Sequence, residues 1–379
     1  MDRKIKIGYI GWSAPQDRKA YSGTPSKMCD SLEKRGYEVK WIPVKITFLY
    51  RVFSYVNKIW ASYRKRQLNF TRSIIGAIMQ SKTIDTQLFN DCDVLFAPFA
   101  SQVLYCIKTT KPIIYLSDAT FNAMVGYYFK NLSKSSIKQG NKIEQQAEDM
   151  ASVIIVSSDW AAKSVISDYH QPKGKVHVIE FGANIDDKDI IPHAFEYGGH
   201  LNLLFWGVDW QRKGGDIAVE ACRYLNANGI SSTLHIVGIR DLDEHIKQLP
   251  YVNYIGYLDK NVPERYAKLV NTIKSCHCLL LPTKAECAGI AFCESSANGL
   301  PVFSHDTGGV RNYVEDGRNG YLLPLGSTGI DFGEKIKKCL ESGELARMSE
   351  TAKDVYKEKL NWKVWARKID AIIKTIATV

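Results

Sequence analysis

Two carboxylates, Glu286 and Glu294, stand eight positions apart in the stretch 282–309, PTKAECAGIAFCESSANGLPVFSHDTGG. Between them lie Cys287, Ala288, Gly289, Ile290, Ala291, Phe292 and Cys293, small and apolar except for one ring. The apolar run Leu279, Leu280, Leu281 ends at Pro282, and Gly299-Leu300-Pro301 closes the segment that holds both glutamates. This pattern predicts strand, loop and helix. Glu286 then falls in the loop, Gly289, Ile290 and Ala291 at the helix start, and Glu294 about one turn inside. Unbonded N–H groups at a helix start attract an anion. Carboxylates beside them can hold hydroxyl groups. Together they suit a sugar joined to a phosphate.

Positive charge is available from the loop 207–215, where Arg212 and Lys213 are adjacent. Asp118 follows the apolar strand 112–116, at the end of a strand where α/β sheets place their chemistry. It can equally cap the next helix. Gly23 and Thr24 precede another helix, with Thr24 as its expected cap and Pro25 at its first position.

The elements that must position these residues form two similar halves. Strands are predicted at 4–10, 37–44, 93–98, 112–116, 151–157 and 176–180. The loop after the first strand lacks the glycine spacing of a dinucleotide site. A polar, glycine-bearing stretch then breaks the pattern before a second series at 201–206, 233–237, 252–255, 278–281, 302–304 and 321–323. This second series reads as a six-stranded parallel sheet. The expected organisation is an N-terminal domain 1–195, a C-terminal domain 196–358 and a closing helix 359–379. That helix carries Trp362, Trp365, Ile369, Ile372 and Ile373 on one face.

The 379 residues are 45% hydrophobic and 24% charged, in the range of a water-soluble globular chain with room for two domains. No apolar run is long enough to span a bilayer. The start reads as a first strand rather than a signal peptide, and nine cysteines then imply free thiols in a cytoplasmic setting. Cys276, His277 and Cys278 with Cys287 and Cys293 can be drawn as a metal site, but small core side chains are the expected reading, and no metal is expected. Asp91-Cys92-Asp93 and Asp241-Leu242-Asp243 are read as turn and cap chemistry. The net charge is +10, and the segment 45–82 holds eight basic residues and no acidic one. Phe48, Tyr50, Phe53, Tyr55, Trp60, Tyr63 and Phe70 alternate there with Arg51, Lys58, Arg64, Lys65, Arg66 and Arg72. Either a helix pair with a solvated basic face or a surface resting on anionic lipid accounts for it; nucleic acid is not expected as a partner.

Six motifs in order carry a resemblance: Gly207-x4-Arg212-Lys213-Gly214, Ile255-Gly256-Tyr257-Leu258, Glu286-x7-Glu294, Gly299-Leu300-Pro301-Val302, Gly308-Gly309, and Asp316-Gly317-x2-Gly320-Tyr321-Leu322-Leu323. The chain resembles the retaining GT-B glycosyltransferases with the glutamate–x7–glutamate motif (family 4-like, group 1). The resemblance implies an α/β fold of two Rossmann-like domains facing across a cleft, with the last helix returning to the N-terminal domain. It implies a nucleotide-diphosphate sugar as donor, UDP-linked with glucose, N-acetylglucosamine or glucuronate, and no metal cofactor. By position, Arg212 and Lys213 would hold the diphosphate, and Tyr257 and its loop the base. Glu286 would hold donor-sugar hydroxyls, Gly289, Ile290 and Ala291 the sugar and phosphate, and Glu294 the ribose. Gly23 and Thr24 would lie on the acceptor side, and Asp118 beside the donor sugar. The implied acceptor is lipid-linked or a polysaccharide, in surface polysaccharide synthesis at the inner membrane face. Val208 stands where many relatives have arginine, and Arg311-Asn312 where a carboxylate is common. Arg311 near the sugar would favour a uronic acid. The rival expectation is a noncatalytic carbohydrate- or nucleotide-binding module on the same fold.

Overall fold

The computed structural model describes residues 3–15, 17, 20–63, 70–190 and 194–377. The chain divides by contacts into two units, Met1–Ile179 with Ala366–Val379, and Glu180–Trp365. Each is built on one six-stranded sheet in which every pairing is parallel.

The first sheet contains β1 (Lys6–Gly11), β2 (Glu38–Pro43), β3 (Val94–Pro98), β4 (Ile113–Ser117), β5 (Val153–Val156) and β6 (Val176–Val178). Its order is β2-β1-β3-β4-β5-β6. β3, β4 and β5 are buried along their whole length, as parallel strands covered on both faces require. The order reverses between β1 and β3, and the crevice outside those two strand ends is where such sheets bind ligands.

The second sheet contains β7 (Leu201–Trp206), β8 (Ser232–Val237), β9 (Val252–Gly256), β10 (Cys278–Leu280), β11 (Val302–His305) and β12 (Gly320–Leu323). Its order, β12-β11-β10-β7-β8-β9, puts the reversal between β7 and β10. Leu203 and Leu204 of β7 pair with Cys278 and Leu279 of β10. These residues, with Phe205, Phe292 and Phe303, lie in the second unit's core.

The sequence expectation sets its boundaries at 195 and 358; the contacts set them after Ile179 and Trp365. Residues just past Ile179 are already tied into the second unit. Phe181 N donates to Tyr313 Oη (3.2 Å) and Ala183 N to Leu360 O (3.2 Å). The last helix, Trp362–Ile376, begins there, with Trp362 Nε1 donating to Ala183 O (2.9 Å). From Ala366 it belongs to the first unit. There Asp370 accepts from Arg35 and Tyr37, each at 2.6 Å.

Several local expectations are corrected. Thr24 is not the cap of its helix. The helix Thr24–Lys34 is capped by Gly23 at φ 91°, without a side-chain bond, and Thr24 is its first residue. The cap of the helix Phe121–Met124 is Thr120 rather than Asp118: Thr120 Oγ1 accepts from Ala123 N (3.1 Å). The cations of the 207–215 loop sit on a one-turn helix, Trp210–Lys213. The helix Lys134–Met150 carries no expectation from sequence, because its buried face includes Glu144 and Glu148 and so breaks the apolar stripe.

Segment 45–82 holds the helices Phe48–Tyr63 and Ile74–Ser81. The first of them exposes its basic residues Arg51 and Lys58 together with many apolar ones. Phe48, Leu49, Val52, Phe53, Tyr55, Val56, Ile59, Trp60 and Tyr63 are all exposed, Phe48 by 79%. Tyr50 faces inward, accepting from Gln80 Nε2 at 2.6 Å. Arg64, Lys65 and Arg66 lie outside the described residues. No described helix is long and apolar enough to cross a membrane.

Candidate functional site

The loop after β7 is built to aim two cations. Asp209 Oδ1 accepts from Arg212 N (3.0 Å), capping the single helical turn. Gly214, at φ 75°, ends that turn and starts the next helix, Gly215–Ala227. A side chain on Gly214 would collide with the carbonyl oxygen of Pro282, so only glycine lets this loop lie against the one after β10. Gly207 admits the Lys213 stem across the end of β7: a Cβ there would stand 2.8 Å from Lys213 Cγ.

The loop after β10 completes the cluster. Glu286 is buried, and its Oε2 pairs with Lys213 Nζ and lies 3.6 Å from Arg212 Nη1. The backbones are joined as well: Lys284 N donates to Arg212 O (2.7 Å), and Arg212 Nη1 to Ala285 O (2.8 Å). Gly309 N donates to Glu286 O (3.0 Å), fixing the loop from the β11 side. Below it, the buried His305 holds Pro282 O (3.0 Å) with one ring nitrogen and Ser327 O (3.2 Å) with the other.

Glu286 sits in the loop, and the helix Ile290–Ala297 begins after Gly289. Phe292 N and Cys293 N already bond back to Gly289 O, so the amides of Ile290 and Ala291 are those the helix itself does not use. Glu294, one turn in, is almost fully buried and pairs with Lys260 Nζ at 2.6 Å. Lys260, in the loop past β9, crosses above the Trp206 ring at 5.2 Å to reach it. Its role has no local signal. The usable clue is physical: a carboxylate buried inside a helix needs a counter-charge.

Tyr257, just beyond β9, is covered by the Arg240 guanidinium, 3.6 Å from its ring centroid. Arg240 also escapes the sequence reading. Tyr254 Oη donates to Arg240 O (2.6 Å) and Ile239 O (3.0 Å), tying the β8 and β9 loops together. Arg311 points elsewhere than expected. It pairs with Asp306 through both Nε and Nη2, so its charge is already answered.

Arg212, Lys213 and Glu286 thus meet at the switch point of the second sheet. Gly289, Ile290 and Ala291 with Glu294, and Tyr257, occupy the same carboxyl edge. Asp118, Gly23 and Thr24 belong to the first unit, also past strand ends. Asp118 follows β4, and its backbone carbonyl accepts from Ser157 Oγ (3.4 Å). Of the two acid pairs set aside as cap chemistry, Asp93 binds Lys6 N (2.8 Å) and Asp243 caps Glu244–Lys247.

This arrangement can neutralise an anion and orient hydroxyl groups. Residues 187–355 match the family model described as glycosyl transferases group 1. A D-inositol 3-phosphate glycosyltransferase of Gordonia bronchialis is 26% identical over 236 residues, 58% of this chain and 51% of that protein. A putative colanic acid biosynthesis glycosyltransferase, WcaL of Salmonella typhimurium, is 27% identical over 44% of this chain and 43% of its own. The matches span about half the length of the first curated relatives. Sucrose-phosphate synthase from Thermosynechococcus elongatus shares the fold with a TM-score of 0.73 at 14% identity, covering 99% of this chain and all of that one. Anabaena HepE, solved with UDP and glucose, does so at 0.64 and 15%, covering 98% and 100%. Residues 187–355 are therefore similar to the glycosyl transferases group 1 family, on a chain whose fold is GT-B.

Proposed function

We propose that this chain is a retaining glycosyltransferase that moves a hexose or N-acetylhexosamine from a UDP-sugar to a lipid-linked or polysaccharide acceptor, without a metal ion. The observation that carries the reading is the Arg212–Lys213–Glu286 cluster at the β7/β10 switch point, inside the region matching the family. Lys213 and Arg212 receive the diphosphate, with the amides of Gly289, Ile290 and Ala291. Glu286 accepts from donor-sugar hydroxyls, Glu294 from the ribose diol, and the Tyr257 loop meets the base.

In the reaction the bond between the anomeric carbon and the phosphate oxygen breaks, and its electron pair stays on the diphosphate. Negative charge therefore grows where the cations stand, and fixed charges stabilise it more than they stabilise the bound donor. The acceptor oxygen attacks from the face the phosphate leaves, and its proton passes to a phosphate oxygen. Gly23 and Thr24 lie on the acceptor side. The Arg311–Asp306 pairing favours a neutral sugar over a uronic acid. UDP and glucose in the HepE structure, and colanic acid biosynthesis in the name of WcaL, support the donor and acceptor classes.

The helix Phe48–Tyr63 supports a lipid-borne acceptor. Its apolar face is exposed in a segment with no acidic residue, the composition of a helix lying in an anionic lipid interface. The enzyme then works at the cytoplasmic membrane face.

A thermal-shift panel of nucleotide sugars tests the reading, since stabilisation follows ligand excess over its dissociation constant. UDP and one UDP-sugar should raise the melting temperature with or without chelator. No response to any nucleoside diphosphate refutes the assignment, and transfer activity that a chelator abolishes and manganese restores refutes metal independence.

A further inference from the structure

Four non-glycine residues among those described hold a left-handed backbone: Tyr21 (φ 46°), Phe99 (58°), Asn131 (58°) and His170 (55°). Asparagine and histidine adopt it at modest cost, whereas a bulky aromatic there is an outlier. The two aromatic ones come from different loops, yet their rings stack, with centroids 4.6 Å apart and planes within 10°. Tyr21 lies in the loop after β1, and Phe99 directly follows β3. These are the two adjacent strands at which the order of the first sheet reverses. Phe99 is pinned by its amide, which donates to Leu116 O at 2.7 Å.

Packing does not account for this pair. A stack made for the core would bury both rings, but Tyr21 is 59% exposed. Strain kept at a surface ring needs another reason, and strained residues gather at binding sites.

We propose that Tyr21 and Phe99 form a stacking platform for a pyranose ring of the acceptor saccharide. The proposal rests on the glycosyl-transfer reading. One face of a pyranose presents C–H groups, which carry slight positive charge and lie well against the negative face of an aromatic ring. The equatorial hydroxyls then project sideways, away from the ring face. The strained backbones hold the rings in place before the sugar arrives, which lowers the ordering cost of binding.

Saturation-transfer NMR on the full chain, with methyl glucosides and methyl galactosides as probes, tests this. At least one probe should receive saturation on the C–H protons of one pyranose face. Tyr21→Phe should keep that affinity within threefold, while Tyr21→Ala should lower it at least tenfold. Phe99→Gly should lower it equally while raising the melting temperature, because the strain goes with the ring; a purely structural role would not separate the two. UDP affinity should stay within twofold in every variant. No saccharide signal from wild type, an undiminished signal in Tyr21→Ala, or a parallel loss of UDP affinity overturns the platform. If wild type binds UDP but no saccharide, the platform alone fails; if it binds no UDP, the glycosyl-transfer reading fails.

Discussion

Replacing either partner of the Lys213–Glu286 pair should have unequal consequences, and the inequality comes from the counter-charge each change leaves. Lys213 depends on Glu286 more than Arg212 does: Lys213 Nζ bonds to Glu286 Oε2, whereas Arg212 stands 3.6 Å from that oxygen through Nη1 and 3.6 Å from Asp209 Oδ2 through Nε. Glu286→Gln leaves the buried Lys213 facing a neutral amide, while Arg212 keeps Asp209. Removing one member of a buried pair costs about 3–5 kcal/mol. Lys213→Ala leaves the carboxylate with Arg212, which is partly in solvent, so its cost should be nearer the roughly 1.5–3 kcal/mol of one hydrogen bond to a charged group. For a unit the size of Glu180–Trp365, each kcal/mol is about 2–4 °C. Glu286→Gln should therefore melt roughly 6–20 °C lower in the absence of nucleotide, and Lys213→Ala clearly less. UDP, which carries the diphosphate but no sugar, should reverse the order. It should bind Glu286→Gln at least as tightly as wild type, because a competing anion has gone. It should bind Lys213→Ala roughly ten- to a hundredfold more weakly. Transfer from UDP-sugar should fall in both. The assay is thermal melting across a UDP titration. UDP affinity within threefold of wild type in Lys213→Ala, or lost in Glu286→Gln, would refute the placement of the diphosphate on these cations.

Burial alone would raise the Asp370 carboxyl, but the bonds from Tyr37, Arg35 and Lys374 outweigh it and hold it at about 2, against 3.8 ordinarily. A depressed carboxyl contributes stability above its unfolded pKa and loses it as pH falls through the folded one. Asp370→Asn should thus cost about 2 kcal/mol at pH 7, with the difference from wild type closing between about pH 4 and 2, as denaturation at each pH would show. Gly214→Ala should destabilise by at least about 2 kcal/mol, from a left-handed backbone and the collision with Pro282 O, and should weaken UDP binding. Gly229→Ala, at φ 83° with open space around it, should cost only about 1 kcal/mol and leave UDP binding alone. On the exposed helix, Val56→Ser with Ile59→Ser should leave melting unchanged but reduce sedimentation with phosphatidylglycerol vesicles about a hundredfold, from two apolar side chains no longer buried in lipid. Equal sedimentation of variant and wild type, or none by wild type, would refute the membrane reading.

The sequence by itself determined the strands of both sheets, because parallel strands buried on both faces appear as short apolar runs that need no partner to be recognised. It also determined that Glu286 stands in a loop and Glu294 within a helix, since local turn and helix-stop residues mark those boundaries. The pairing of charges was decided only by tertiary structure. Lys213 reaches Glu286 because β7 and β10, far apart in the chain, are neighbours at the switch point. Lys260 reaches Glu294 by passing over Trp206. Arg240 covers Tyr257 across two loops, and Asp306 takes the charge of Arg311. None of these leaves a local trace, since a lysine in a loop looks the same whether its partner is water or a buried carboxylate. The outward turn of the apolar face of Phe48–Tyr63 was hidden for a related reason. Helical periodicity shows that a face is apolar, and only the rest of the fold decides whether that face turns inward.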